Sequence, residues 1–140
     1  MPQPTTRVRS TGCPGYSETL PREPGSAVTA RRLVRVACAA WGLEELAEDG
    51  ALIVSELVAN AVQHARSSHI RVTISRFEAA RVRIGVVDRS KGLPELREPG
   101  SEHESGRGLA LVEGVARDWG ADLLPWGERV WAELHGKECG

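Results

Sequence analysis

Within the short stretch SELVANAVQHA, residues 55–65, Glu56, Asn60 and His64 recur at steps of four. On an α-helix such steps advance only slightly around the axis, so a carboxylate, an amide and an imidazole share one side. Side chains of these types can orient a hydroxyl, hold a proton or bind a polar ligand. Beside them Ile53, Leu57, Ala61 and Ala65 form an apolar stripe suited to a core. A solvated polar face gives the same spacing, so this helix alone does not decide the matter. Its chemistry needs partners from elsewhere in the chain.

Two segments supply candidates. In VVDRSKG, Asp88 stands at the end of an apolar strand pattern, where the chain enters a polar stretch. An aspartate there also commonly starts a turn. In SGRGLALV, Gly106 and Gly108 sit at or just before the first turn of a helical pattern. Glycines there let the backbone close on an anion, and the free amides and dipole of a helix start favour phosphate. The pattern lacks the Gly-Lys-Ser/Thr ending of a P-loop, and its turn differs from the usual strand-to-helix dinucleotide fingerprint.

The elements that would carry these residues follow from periodicity. Residues 1–15 are rich in Pro, Thr and Gly and read as a flexible arm. YSETL reads as a short edge strand, and PREPG as a break. Ser26 is placed to cap a helix running to about Ala40, with Ala27, Ala30, Leu33, Val34, Ala37 and Cys38 as its apolar stripe. Gly42 can stop that helix, and a second runs from about Glu44 to Ala65, with Gly50 inside it at a modest propensity cost. The period then changes to two: Ile70, Val72 and Ile74, then Val82, Ile84 and Val86, mark two strands joined tightly around 78–80. A polar segment, 89–106, is long for a connector and reads as a functional loop or lid. A helix over RGLALVEGVARDWG, with Leu109, Val112 and Val115/Ala116 inward, and strands at Ala121–Trp126 and Arg129–Leu134 complete the order. That order implies an α/β two-layer sandwich with helices on one face of the sheet.

The chain is long enough for one domain with a sizeable core, here 16–135 between the arm and a short tail at 136–140. Its net charge of −1 sets up no global positive field, so direct nucleic-acid binding is not expected. Three cysteines, Cys13, Cys38 and Cys139, show neither a secreted disulfide framework nor zinc-ligand spacing. There is no signal segment and no apolar run of spanning length, which implies a cytoplasmic protein without membrane attachment. Trp41, Trp119, Trp126 and Trp131 read as core or surface anchors. Arg31, Arg32 and Arg35 form a basic helix side suited to solvent or to an acidic protein partner.

Taken in order, ELVANAVQHA, VVDRSKGLP, GRGLALVEGVARDWG and RVWAEL resemble the ATP-binding domain shared by DNA gyrase, heat-shock chaperone, histidine kinase and mismatch-repair ATPases. The closer resemblance is to its small branch, the bacterial anti-sigma regulatory serine kinases, and it covers roughly 16–134. It implies the Bergerat fold, a mixed and mostly antiparallel sheet covered by helices on one face. It implies Glu56 as general base or orienter of the attacking hydroxyl, and Asn60 as the ligand of a magnesium ion bridging the phosphates of ATP. Asp88 would accept the adenine amino group, and Gly92 would let the chain pass close to the base. His64 would continue the nucleotide-facing side, and Gly106, Arg107, Gly108 and Leu109 would enclose the phosphates.

Two departures stand out. Asp88-Arg89-Ser90-Lys91-Gly92 is a variant of the family's segment after the adenine strand. GERVW puts Val130 where the family commonly carries a threonine, removing a hydroxyl that helps bind the base region at a cost of about 1 kcal/mol. The resemblance implies an ATP- and magnesium-dependent serine/threonine kinase that phosphorylates an antagonist protein, binds a sigma factor and forms homodimers. The alternative is an ATP-binding interaction module of weak or no catalytic activity.

Overall fold

The computed structural model describes residues 5–8, 14–64, 67–88 and 112–136. Six strands, β1 (Thr5–Val8), β2 (Pro14–Pro21), β3 (His69–Glu78), β4 (Arg81–Asp88), β5 (Asp118–Leu124) and β6 (Gly127–His135), form one sheet in the order β1-β2-β3-β4-β6-β5. Every neighbouring pair of these strands is antiparallel. Two helices, α1 (Ser26–Ala40) and α2 (Ala47–His64), pack on each other and against one face of the sheet. The result is the two-layer α/β sandwich expected of the sequence.

Side-chain alternation explains which face is covered. Ile70, Val72 and Ile74 of β3 and Val82, Ile84 and Val86 of β4 are all buried beneath the helices, as period two requires. On β6 the same face carries Val130, Ala132 and Leu134. From the helices come Leu33, Val34, Ala37 and Cys38 of α1 and Ile53, Val54, Leu57 and Val58 of α2. Fully burying each such aliphatic side chain contributes about 1.5–3 kcal/mol, so this layer holds the helices in place.

The end of α1 shows how local sequence sets the geometry. Gly42 takes φ +69°, Leu43 N–H donates to the Cys38 carbonyl (2.8 Å) and Gly42 N–H to that of Ala39 (3.2 Å). This is a Schellman ending, and glycine accepts its left-handed residue without steric cost. Gly50 has a different reason. A Cβ there would lie 2.7 Å from Val34 Cγ1 and 3.3 Å from Ile84 Cδ1, so its lack of a side chain lets α2 sit close against both Val34 of α1 and Ile84 of β4. The propensity cost expected from sequence accompanies this close approach.

Several boundaries differ from those read in the sequence. Within the stretch expected to be an arm, Thr5–Val8 pairs with β2, so the YSETL strand is internal rather than an edge. Ser26 is the first residue of α1 and does not cap it: Gly25 holds the cap position, and the Ser26 hydroxyl donates to the Pro21 carbonyl at 2.6 Å. The second helix is preceded by a separate 3-10 turn at Glu44–Leu46. Residues 112–115 are helical, but Asp118–Gly120, expected in that helix, belong to β5. Among the described residues no helix is long and apolar enough to cross a membrane.

Candidate functional site

α2 ends beside the C-terminal end of β4, and β6 runs antiparallel to β4 with Asp88 opposite Glu128. Between them lies a cleft with an apolar floor of Leu57, Ala61, Val86 and Val130. Its polar lining is Asn60, His64, Asp88 and Glu128. Asn60 and His64 of α2 and Asp88 of β4, far apart in the chain, thus line one cleft.

The electrostatic centre is Asp88, only 5% exposed. Ser67 Oγ lies 2.6 Å from Asp88 Oδ1 and also 2.6 Å from the His69 carbonyl oxygen. The other carboxylate oxygen, Oδ2, is buried and has no hydrogen-bond partner among the described residues, and neither has His64 Nε2. A buried polar group without a partner costs about 1–3 kcal/mol, more when charged. Two such atoms on one cleft mark it as prepared for a ligand that supplies the missing bonds. Asp88 Oδ2 needs a donor. His64 Nε2 donates or accepts according to its tautomer.

Glu56 lies one turn before Asn60 on α2, is half-buried, and does not line the cleft. Gly92, Gly106, Arg107, Gly108 and Leu109 lie outside the described residues, as does the 89–106 segment read as a lid. Among the described residues no group of three or more His, Cys, Asp and Glu side chains could hold a metal ion. A magnesium ion shared with phosphates asks less of the protein, usually one or two oxygens with water and phosphate completing the shell. The amide oxygen of Asn60 on the cleft wall fits that need. Cys38 is free and buried in the core; burial first, then the charges of Glu44 and Glu45, push its thiol up to about 11, the pattern of a core thiol rather than an activated one.

The sequence model of the histidine kinase-like ATPase domain matches residues 20–132. This chain belongs to the histidine kinase-like ATPase domain family. All of the cleft's lining residues lie within the matched span. Among solved structures, the histidine kinase domain of the blue-light activated histidine kinase of Erythrobacter litoralis is similar at 22% identity, with a TM-score of 0.47. The match covers 83% of this chain and 61% of that one, so this chain spans less than two thirds of that domain's length. A search of curated proteins finds no match.

Some residues of the site were not singled out by the sequence reading. Glu128 shares a face with Val130 because the two are separated by one residue on β6, a parity that the sequence does contain. Ser67 and Arg22 carried no such signal. Arg22 Nε donates to the Ser67 carbonyl at 2.6 Å and Nη1 to that of Val62 at 2.9 Å, contacts that span 45 and 40 residues of chain. Of the basic side on α1, Arg31 donates to Ser55 Oγ at 3.0 Å and Arg35 pairs with Glu48 at 3.5 Å.

Proposed function

We propose that this histidine kinase-like ATPase domain is an ATP- and magnesium-dependent serine/threonine protein kinase of the anti-sigma regulatory type. The observation that carries the nucleotide part is the buried Asp88 Oδ2, on the wall of a cleft and without a partner among the described residues. That oxygen would accept a hydrogen from the adenine amino group, and Val86, Val130 and Leu57 would cover the faces of the base. Asn60 would hold magnesium, which when bound neutralises phosphate charge. Glu56, one turn away on the same helix, would orient the attacking hydroxyl of a protein partner and take its proton. The accepting hydroxyl belongs to that partner, so no serine of this chain acts as nucleophile.

The partner class that fits the sequence resemblance is an antagonist protein carrying the acceptor serine or threonine, with a sigma factor as a second ligand. A homodimer in the cytoplasm is the corresponding assembly and setting. The reading is tested by co-purifying the bound partner and following transfer from radiolabelled ATP with magnesium. Wild-type protein should label the partner, and Glu56→Ala should nearly abolish labelling while keeping most ATP affinity. Labelling unaffected by that substitution would remove Glu56 from the mechanism.

A second reading is an ATP-binding interaction module without transfer activity. It is favoured by Val130 on the cleft wall, where a hydroxyl was expected, and by the place of Glu56 outside the lining. Tight ATP binding with no labelling of the co-purified partner would select it.

A further inference from the structure

The mechanism just described uses Asp88 as a ready-made acceptor but leaves open what holds it. An isolated carboxylate offers two oxygens and matches a paired donor edge, such as the N1–H and amino group of guanine, by two parallel hydrogen bonds. Asp88 is not isolated. Ser67 Oγ sits 2.6 Å from its Oδ1, its single proton shared between that oxygen and the His69 carbonyl at 2.6 Å, which leaves Oδ2 as the oxygen without a partner among the described residues. One available oxygen suits a single exocyclic amino group, the donor that adenine presents.

Ser67 is in turn held from outside the site. Arg22, in the connection between β2 and α1, donates from Nε to the Ser67 carbonyl and from Nη1 to the Val62 carbonyl near the end of α2. Its backbone N–H donates to the Ser68 carbonyl at 2.8 Å. The residue before it, Pro21, ends β2 opposite His69 and accepts the Ser26 hydroxyl at the start of α1. The turn bearing Ser67 is therefore fixed to α1, α2 and the sheet at once, and its hydroxyl has a defined position from which to occupy Asp88 Oδ1.

We infer that Ser67, clamped by Arg22, is a positioning residue for base selectivity: by occupying Asp88 Oδ1 it restricts the carboxylate to one acceptor and so favours adenine over guanine nucleotides. This rests on the nucleotide reading of the cleft. Ser67 need not touch the ligand. Removing its hydroxyl frees a second oxygen and lets the carboxylate turn, which weakens the adenine contact and admits the paired donor edge of guanine.

The test is calorimetric titration of the folded protein with ADP and with GDP in the presence of magnesium, with thermal melts as a check on folding. Wild type should prefer ADP, and Ser67→Ala should shrink that preference by about tenfold or more, losing ADP affinity while GDP affinity holds or rises. Ser67→Thr, which keeps the hydroxyl, should restore the preference, and Arg22→Ala should shrink it in the same direction. A folded Ser67→Ala protein with an unchanged ADP-to-GDP ratio overturns the role given to Ser67 while leaving the nucleotide site standing. A parallel fall in both affinities with a lowered melting temperature also overturns it, as a purely structural effect. Wild-type protein that binds neither nucleotide overturns the reading of the cleft and this inference with it.

Discussion

Two carboxylates are buried to nearly the same extent on this sheet, Asp88 at 5% exposed and Glu133 at 6%, yet their surroundings differ in kind. Glu133 projects from the face opposite the helices. Its Oε1 accepts from Arg83 Nη2 at 2.9 Å, and its Oε2 lies 3.0 Å from His135 Nε2. Arg83 is itself stacked 4.4 Å from the Trp131 ring centre and 5.4 Å from that of Phe77. Burial alone would raise the Glu133 pKa, but the bonds from His135 and Arg83 and the charges of Arg83 and Arg81 outweigh it and hold it below the usual glutamate value. Asp88, facing the helix side, has one neutral hydroxyl beside it and one oxygen without a partner among the described residues. A carboxylate satisfied on both oxygens belongs to the fold. One left half-satisfied on a cleft wall is poised for something that arrives.

The sharpest way to break this contrast is to neutralise each group and ask which property fails. Asp88→Asn should weaken adenine-nucleotide binding by about 100-fold while leaving the melting temperature near that of wild type, because the acceptor lost was unused in the free protein. Titration and thermal melts on the same preparation check both halves. Glu133→Ala should do the reverse, costing about 1–2 kcal/mol of stability in denaturant melts with nucleotide affinity within about twofold. Exposed Arg83, its partner, limits that cost.

The pH dependence separates them again, with a smaller effect. A depressed folded pKa means that Glu133 contributes stability above the ordinary glutamate value of about 4.3, and that this is lost as pH falls through the lower folded value. Melts of wild type and Glu133→Gln across the acid range should therefore converge at low pH. A constant gap across that range would remove Glu133 from the acid response. Smallest is Val130→Thr, which returns a hydroxyl to the cleft wall and should tighten adenine-nucleotide binding by about 1 kcal/mol, read by titration.

How much of this was legible in the sequence depends on the range over which each feature is encoded. Period two in β3 and β4 gave the sheet and its buried face, and four-residue steps gave the polar side of α2. Asp88 was legible because an acid closing an apolar strand is a local signal. The start of β5 was not. Val112, Val115, Ala116 and Trp119 continue a helical spacing, so periodicity alone runs the helix past the point where Asp118 begins pairing with Glu133. Strand β1 was missed for the opposite reason, since four polar and apolar residues in a Pro- and Thr-rich stretch carry little pattern until β2 lies beside them. Arg22 and Ser67 are joined across 45 residues by a side chain reaching a backbone carbonyl, which no spacing announces.

The central claim is that Asp88 Oδ2 awaits the amino hydrogen of a base. It is tested most directly by comparing ADP with the purine nucleotide that lacks the 6-amino group, on wild type and on Asp88→Asn. Removing the amino group should cost wild type about tenfold or more in affinity and the variant close to nothing, because the interacting pair is already broken. An equal loss in both proteins, or none in wild type, would contradict it.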